Sequence, residues 1–181
     1  LKKGEVISTA TSYVFRIGPT IAFSAILFAG LIIPLIRTNS IVQFEGDFIL
    51  FAYILAIGKF FTVSTAMDTG SSFEGMGVSR EITFSSLVEP AFFIITSSIA
   101  SLHGVYSFEK IFSISLMSGG IAPLVVVLSV IALFIIMLVE GSRVPIDDPN
   151  THLELTMIHE VMVLDNSGPD LALINYGTAM K

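Results

Sequence analysis

The sequence predicts an all-α integral membrane protein: a single membrane domain over 1–181 with about four transmembrane helices, followed by a cytoplasmic loop with a short capped helix, and itself a fragment of a larger helical bundle. Three observations carry that reading. Hydrophobic residues make up 53% of the chain and charged residues only 13%, against roughly 25% charged in a soluble domain. Four apolar runs lie at about 17–36, 48–67, 82–102 and 121–139; at about 1.5 Å per residue each is long enough for a hydrocarbon core of ~30 Å. Much of the remaining acid, with two of the three histidines, is gathered in one stretch, Glu140 to Gly168.

Composition also excludes function classes. The formal net charge is -6 and no basic cluster occurs, which argues against nucleic acid as a partner and leaves the lipid bilayer and other proteins. With no cysteine, thiolate metal sites and iron–sulfur ligation are closed to this chain, so no cofactor is expected in it and electron transfer would fall to a partner. The chain starts at Leu1 and shows no signal peptide, and it reads as an internal piece of a longer protein.

In chain order, Leu1 to Arg16 reads as a solvated lead-in. The first span, Ile17 to Ile36, has no charge; Pro19 falls in its first turn, where a missing N–H matters little, and Arg37 closes it. Phe48 to Met67 is the second span, with Lys59 near its middle. A lysine there costs about 2.5–3.5 kcal/mol on insertion scales, so it should face protein or water. Asp68 to Arg80, DTGSSFEGMGVSR, reads as a Gly/Ser-rich connecting loop; it lacks the GK[ST] ending of a phosphate loop. The third span, Ile82 to Leu102, contains Glu89 followed by Pro90, which removes a backbone donor and predicts a kink. Lys59 and Glu89 are thus two intramembrane charges of opposite sign. They are either a static pair that holds the bundle together or protonatable members of an ion path. His103 to Gly120 reads as a surface-lying segment with an isolated histidine, and Ile121 to Val139 as the fourth, uncharged span.

Four crossings put Lys2, Lys3, Arg16, Arg80 and Arg143 on one side and only Arg37 and Lys110 on the other. The excess of basic residues places the Glu140 to Gly168 stretch in the cytoplasm. Within it, Pro145 and Pro149 bracket a rigid turn holding Asp147. Thr151-His-Leu-Glu154 has the form of a capping box, which predicts a helix from about His152 to Asp165, ended by Asn166-Ser-Gly168. Ser167 to Asp170 opens a further helix. On a helical wheel His152, Thr156, His159 and Glu160 share a face, Glu154 and Asp165 lie on another, and apolar residues cover most of the rest. Such a helix is buried against something. His159-Glu160 lacks the second histidine of HExxH, so a metal site is not expected; the two histidines read as partner-contact residues, with a proton-handling role for at least one as the alternative.

Glu140-x-x-Arg143-x-Pro145-x-Asp147 resembles the signature ahead of the large cytoplasmic loop in the membrane subunit that joins the two arms of respiratory complex I, NADH dehydrogenase subunit one. THLELTMIHEVMVLDNSGPDLALI, and the DTG…GMG…SRE…EP pattern over Asp68 to Pro90, are more similar to the counterpart in energy-converting membrane-bound hydrogenases and formate hydrogenlyase. The resemblance implies a non-redox subunit of an oxidoreductase complex in the cell inner membrane. Its partners would be the hydrogenase large and small subunits, an iron–sulfur subunit and antiporter-like membrane subunits. It implies that Glu89 and Glu140 start an ion path, and that Arg80, Arg143 and Asp147 meet the redox module. The polar positions His152, Glu154, His159, Glu160 and Asp165 are assigned to the same interface. Lys59 has no counterpart in the resemblance and rests on the depth argument alone. After Asp147 the sequence departs from the quinone-reducing branch. Quinone binding, as in complex I, and a purely structural anchor are the two alternative functions.

Overall fold

The computed structural model describes residues 12–34, 40–112, 120–144, 146–147 and 157–181. The lead-in 1–11, Arg37, Pro145, Pro149, the Thr151–Glu154 capping box with His152 and Glu154, and the side chain of His103 lie outside the described residues.

The chain is all-helical among these residues: α1 (Tyr13–Gly30), α2 (Asp47–Asp68), α3 (Ser72–His103), α4 (Phe108–Phe112), α5 (Ala122–Glu140), α6 (Ile158–Met162) and α7 (Gly168–Met180). Four of them, α1, α2, α3 and α5, are long and apolar enough to cross a membrane.

Boundaries move from expectation at both ends of α1 and at the start of α3; the first span, expected to reach Ile36, ends as helix at Gly30. α1 starts at Tyr13, where the Ser12 hydroxyl accepts a hydrogen bond from the Val14 N–H. Pro19 is therefore inside the helix rather than in its first turn. The connection expected over Asp68 to Arg80 shrinks to Thr69–Ser71, because α3 already begins at Ser72 and runs on through Pro90 to His103. Its 32 residues measure about 48 Å, well beyond the ~30 Å of a hydrocarbon core. The added turns carry buried Glu74 and Val78. They stay helical because both side chains find partners: Val78 packs against Ala66, Ile158 and Met162, and Glu74 accepts hydrogen bonds from the Thr69 hydroxyl and, at 3.4 Å, from the Asp165 N–H.

α1 and α2 pack closely because small residues face each other. A Cβ on Gly58 would stand 3.1 Å from the Ala25 side chain, and one on Gly18 would collide with Thr65. Small residues at a helix–helix contact let backbones approach where the solvent is lipid.

Two apolar clusters then divide the body along α2. One joins Ala66, Val63, Val78 and Phe84 to Ile158 and Met162 of α6. The other joins Phe48, Phe51 and Ile54 to Ile32, Phe92 and Phe108. Beside the second cluster, fully buried Asp47 accepts hydrogen bonds from the Ser107 hydroxyl at 2.8 Å and the Phe108 N–H at 2.9 Å, tying α4 to the start of α2. Lys59 falls between the two clusters.

The last quarter of the chain forms a cap and a return. The helix expected over His152 to Asp165 is not continuous: Met157 is extended (φ -66°, ψ 146°) and α6 covers only Ile158–Met162. α7 does begin where the second capping signal stands, with Ser167 as its N-cap residue and Pro169 in its first turn. It does not stay in the surface loop. It packs along α1, where a Cβ on Gly177 would meet Ile26 at 3.0 Å.

Candidate functional site: a charged cavity under α6

Lys59 lies nine residues before the end of α2, about 13 Å down the helix axis. Its ammonium nitrogen is 2.5 Å from Glu140 Oε2, 3.1 Å from Glu81 Oε1 and 2.9 Å from Ser85 Oγ. An ammonium has three hydrogens, and this one has three acceptors. The Ser85 hydroxyl donates to the Glu81 carbonyl at 2.8 Å, which leaves its lone pairs for the lysine. Both acids are largely buried, with side chains 13% and 17% exposed, and Lys59 is 11% exposed.

Glu140 is shared. Its Oε1 is 3.5 Å from the Lys181 ammonium at the end of α7. Two lysines and two glutamates therefore balance. Balance matters here, because a charge out of water costs several kcal/mol unless partners compensate it.

The exit of α5 fixes Glu140. Arg143 N–H bonds the Leu138 carbonyl at 2.9 Å and Ser142 N–H the Val139 carbonyl at 3.1 Å, the double closure of a Schellman turn. Its left-handed position is filled by Ser142 at φ 46°, where glycine is usual. Exposed Arg143 turns back, with its Nη2 3.5 Å from the Thr178 carbonyl of α7.

Asp147 is buried (4% exposed). Its carboxylate accepts from the N–H of Ile158 at 3.0 Å and of His159 at 3.2 Å, so it caps α6 from eleven residues upstream. Its charge is thus used inside the chain. α6 in turn rests on Gly77 of α3, where an added Cβ would stand 3.0 Å from Met162 and 3.1 Å from the Ile158 carbonyl.

Between α1, α2, α3, α6 and α7 lies a cavity of about 50 Å³ whose polar lining includes Lys59, Glu81, Glu140, His159, Thr178 and Lys181. That is room for a few waters with polar partners. His159 is half-buried, with Nε2 3.2 Å from Thr178 Oγ1. Burial pushes its imidazole below the ordinary histidine value, and Lys181 adds to that; Glu160, Glu81 and Asp147 oppose it.

The sequence-derived residues thus separate. Lys59, Glu140 and His159 meet at one cavity. Glu89 stands exposed on α3 and makes no ion pair among the described residues, so the expected Lys59–Glu89 pair is replaced by Lys59–Glu81 and Lys59–Glu140. Arg80 borders an open groove with Ser79, Phe84 and Asp147. Glu160 and Asp165 are exposed on the cap. Glu81, Ser85 and Lys181 escaped sequence reasoning. The signal that could have found two of them is the i,i+4 spacing of Glu81 and Ser85 on one helix.

Four membrane-length helices around an internal, charge-balanced cavity, closed by a short helix outside the spans, define a membrane protein with a built polar site in its helical body. The chain belongs to the family described as NADH dehydrogenase, that of complex I subunit 1, which matches residues 1–181. It is 34% identical over 180 residues to hydrogenase-4 component C of Escherichia coli K12, covering 99% of this chain and 56% of that protein. It is 26% identical over 181 residues to formate hydrogenlyase subunit 4 of the same strain, covering 100% of this chain and 58% of that protein. The chain thus spans a little over half the length of the curated relatives it matches.

Proposed function

We propose that the chain is part of the membrane subunit of an energy-converting hydrogenase complex in the cell inner membrane. It anchors a nickel–iron redox module on the cytoplasmic side, at α6 and the Arg143–Asp147 turn. It couples the module's turnover to proton or sodium movement through antiporter-like neighbours. The likeness to hydrogenase-4 component C and formate hydrogenlyase subunit 4 supports the assignment to a hydrogenase, and the basic excess on the side of Arg80 and Arg143 supports the orientation.

The observation that carries the coupling is Lys59 held between Glu81 and Glu140. Only six residues lie between Glu140 and Asp147, and Asp147 is bonded to α6. A displacement of α6 by the docked module therefore pulls on the helix end that holds Glu140. Unit charges 4 Å apart interact by about 4 kcal/mol at an effective dielectric near 20. Moving one carboxylate off Lys59 upsets the charge balance of the buried group, and that imbalance is what a mobile ion would relieve. Glu81 joins Glu140 and Lys59 in this path; Glu89, exposed on α3, would face a neighbouring subunit.

One observation favours a second reading, quinone binding as in complex I. An apolar cavity of about 470 Å³, lined by Leu27, Ile33, Phe51, Phe92 and Met180, reaches Glu140 and Lys181. Copurification separates the readings. Tagged full-length protein should bring down hydrogenase large and small subunits with an iron–sulfur subunit. Recovery of NADH-oxidising subunits instead, with turnover blocked by quinone-site inhibitors, would assign it to the complex I branch.

A further inference from the structure

The cavity holds one titratable group outside the lysine–glutamate network. Lys59 has all three hydrogens engaged, and Glu140 is held by two lysines. Changing the charge of any of them strands a partner. His159 lines the same space without an ion pair among the described residues.

The ring nitrogen Nε2 is 3.2 Å from Thr178 Oγ1. That hydroxyl has one hydrogen, within reach of both Nε2 and the Ile174 carbonyl at 2.9 Å, so Nε2 either donates to the hydroxyl or accepts from it. In either tautomer one ring nitrogen is left to take a proton.

We propose that His159 is a proton-exchanging residue linking the cap of the protein to the Lys59–Glu81–Glu140 cavity, a role that deepens the function proposed above and rests on it. A proton from water on the cap side adds to the unprotonated ring nitrogen and makes the imidazolium. The imidazolium gives a proton to water in the cavity, which passes it to Glu81 or Glu140, and the ring returns to neutral. No electrons move. Delivery to Glu140 neutralises the carboxylate that Lys59 and Lys181 share.

The surroundings fit transfer rather than storage. Glu160 on α6, Glu81 on α3, Asp147 in the turn and Lys181 on α7 all act on the ring, and Lys59 and Glu140 face it across the cavity. Burial favours the neutral form, so a captured proton is passed on. Asp147 holds the His159 backbone and Thr178 holds the ring, which fixes the group at the wall between cap and cavity.

The test uses the whole complex in inverted membrane vesicles. Hydrogenase turnover and the membrane potential it generates are measured on the same vesicles, and the potential is normalised to turnover. His159→Gln can still donate to Thr178 but cannot be protonated. It should keep turnover and lose at least tenfold in normalised potential, and imidazole should restore the potential of His159→Gly. If His159→Gln keeps the wild-type ratio while Glu140→Gln loses it, His159 is not on the path and the proposed function stands. If both keep it, both fall. Should glutamine impair assembly, Thr178→Val is read instead: a shifted pH profile of the ratio supports the relay, and an unshifted one overturns it.

Discussion

Lys59 and Glu140 are 81 residues apart in the chain and 2.5 Å apart in space. Removing one partner of a buried ion pair costs about 3–5 kcal/mol, whereas removing all its charges together is often nearly neutral. Lys59→Met should therefore destabilise the protein by roughly 3 kcal/mol, near the low end of that range because all three side chains keep some exposure. The combination Lys59→Met, Glu81→Gln, Glu140→Gln, which leaves only the Lys181 charge of the network, should recover part of that loss. Thermal unfolding of the detergent-solubilised protein checks it. A purely structural anchor would keep ion pumping in the triple variant; a coupling site would not.

Asp147 caps α6 through two backbone N–H groups. Asp147→Ala should cost about 1–2 kcal/mol, since losing an N-terminal cap is worth up to that amount. Asp147→Asn keeps an acceptor and should cost less. Hydrogen exchange at the Ile158 and His159 amides reports the effect directly and should rise most in the alanine variant.

Gly77 sets the seat of α6. Its missing Cβ leaves space that Met162 and the Ile158 carbonyl fill, and a carbonyl cannot move aside as a flexible side chain can. Gly77→Val should lift α6 from α3 and break the contacts of Ile158 and Met162 with Ala66 and Val78. Limited proteolysis should then cut between Glu140 and Gly168 faster than in wild type. Gly75→Ala, where an added Cβ meets nothing within 4 Å, is the control and should leave the rate unchanged.

His159 makes stability depend on pH with a definite sign. Burial holds its folded value below the ordinary one near 6.5, so between the two the unfolded chain binds more protons. Its contribution is full above about 6.5 and is lost as pH falls through the folded value. The unfolding temperature of wild type should drop further than that of His159→Gln between pH 7.5 and 5.5. Equal drops would mean the ring is not buried as described.

Much of this architecture was legible in the sequence because lipid imposes a length on apolar runs. The four spans fall on α1, α2, α5 and the later turns of α3, the first of them displaced by four residues at its start and six at its end. The first turns of α3 were not legible. Serines and two glycines between Ser71 and Ser79 look like a loop, yet Gly77 is there to seat a helix that arrives some eighty residues later.

Lys59 and Glu140 were each legible as charges near apolar runs, but not as a pair, because antiparallel register is set by three-dimensional packing. Glu89 looked like the partner by depth. It lies eight residues past Glu81, about 12 Å further along the helix, and the level of Lys59 falls at Glu81 and Ser85. The cap of α6 was sought next to the helix, at Thr151–Glu154, and the carboxylate found there comes from Asp147, eleven residues before Ile158.

In the proposed function Glu140 connects the cap to the charged cavity and so to ion movement. Glu140→Gln tests it most directly, in the full complex, by the membrane potential generated per hydrogenase turnover in sealed vesicles. Turnover should persist, since the proposed function puts the redox chemistry in a partner module, and the potential per turnover should fall at least tenfold. A Glu140→Gln complex that turns over and builds the full wild-type potential would contradict the account.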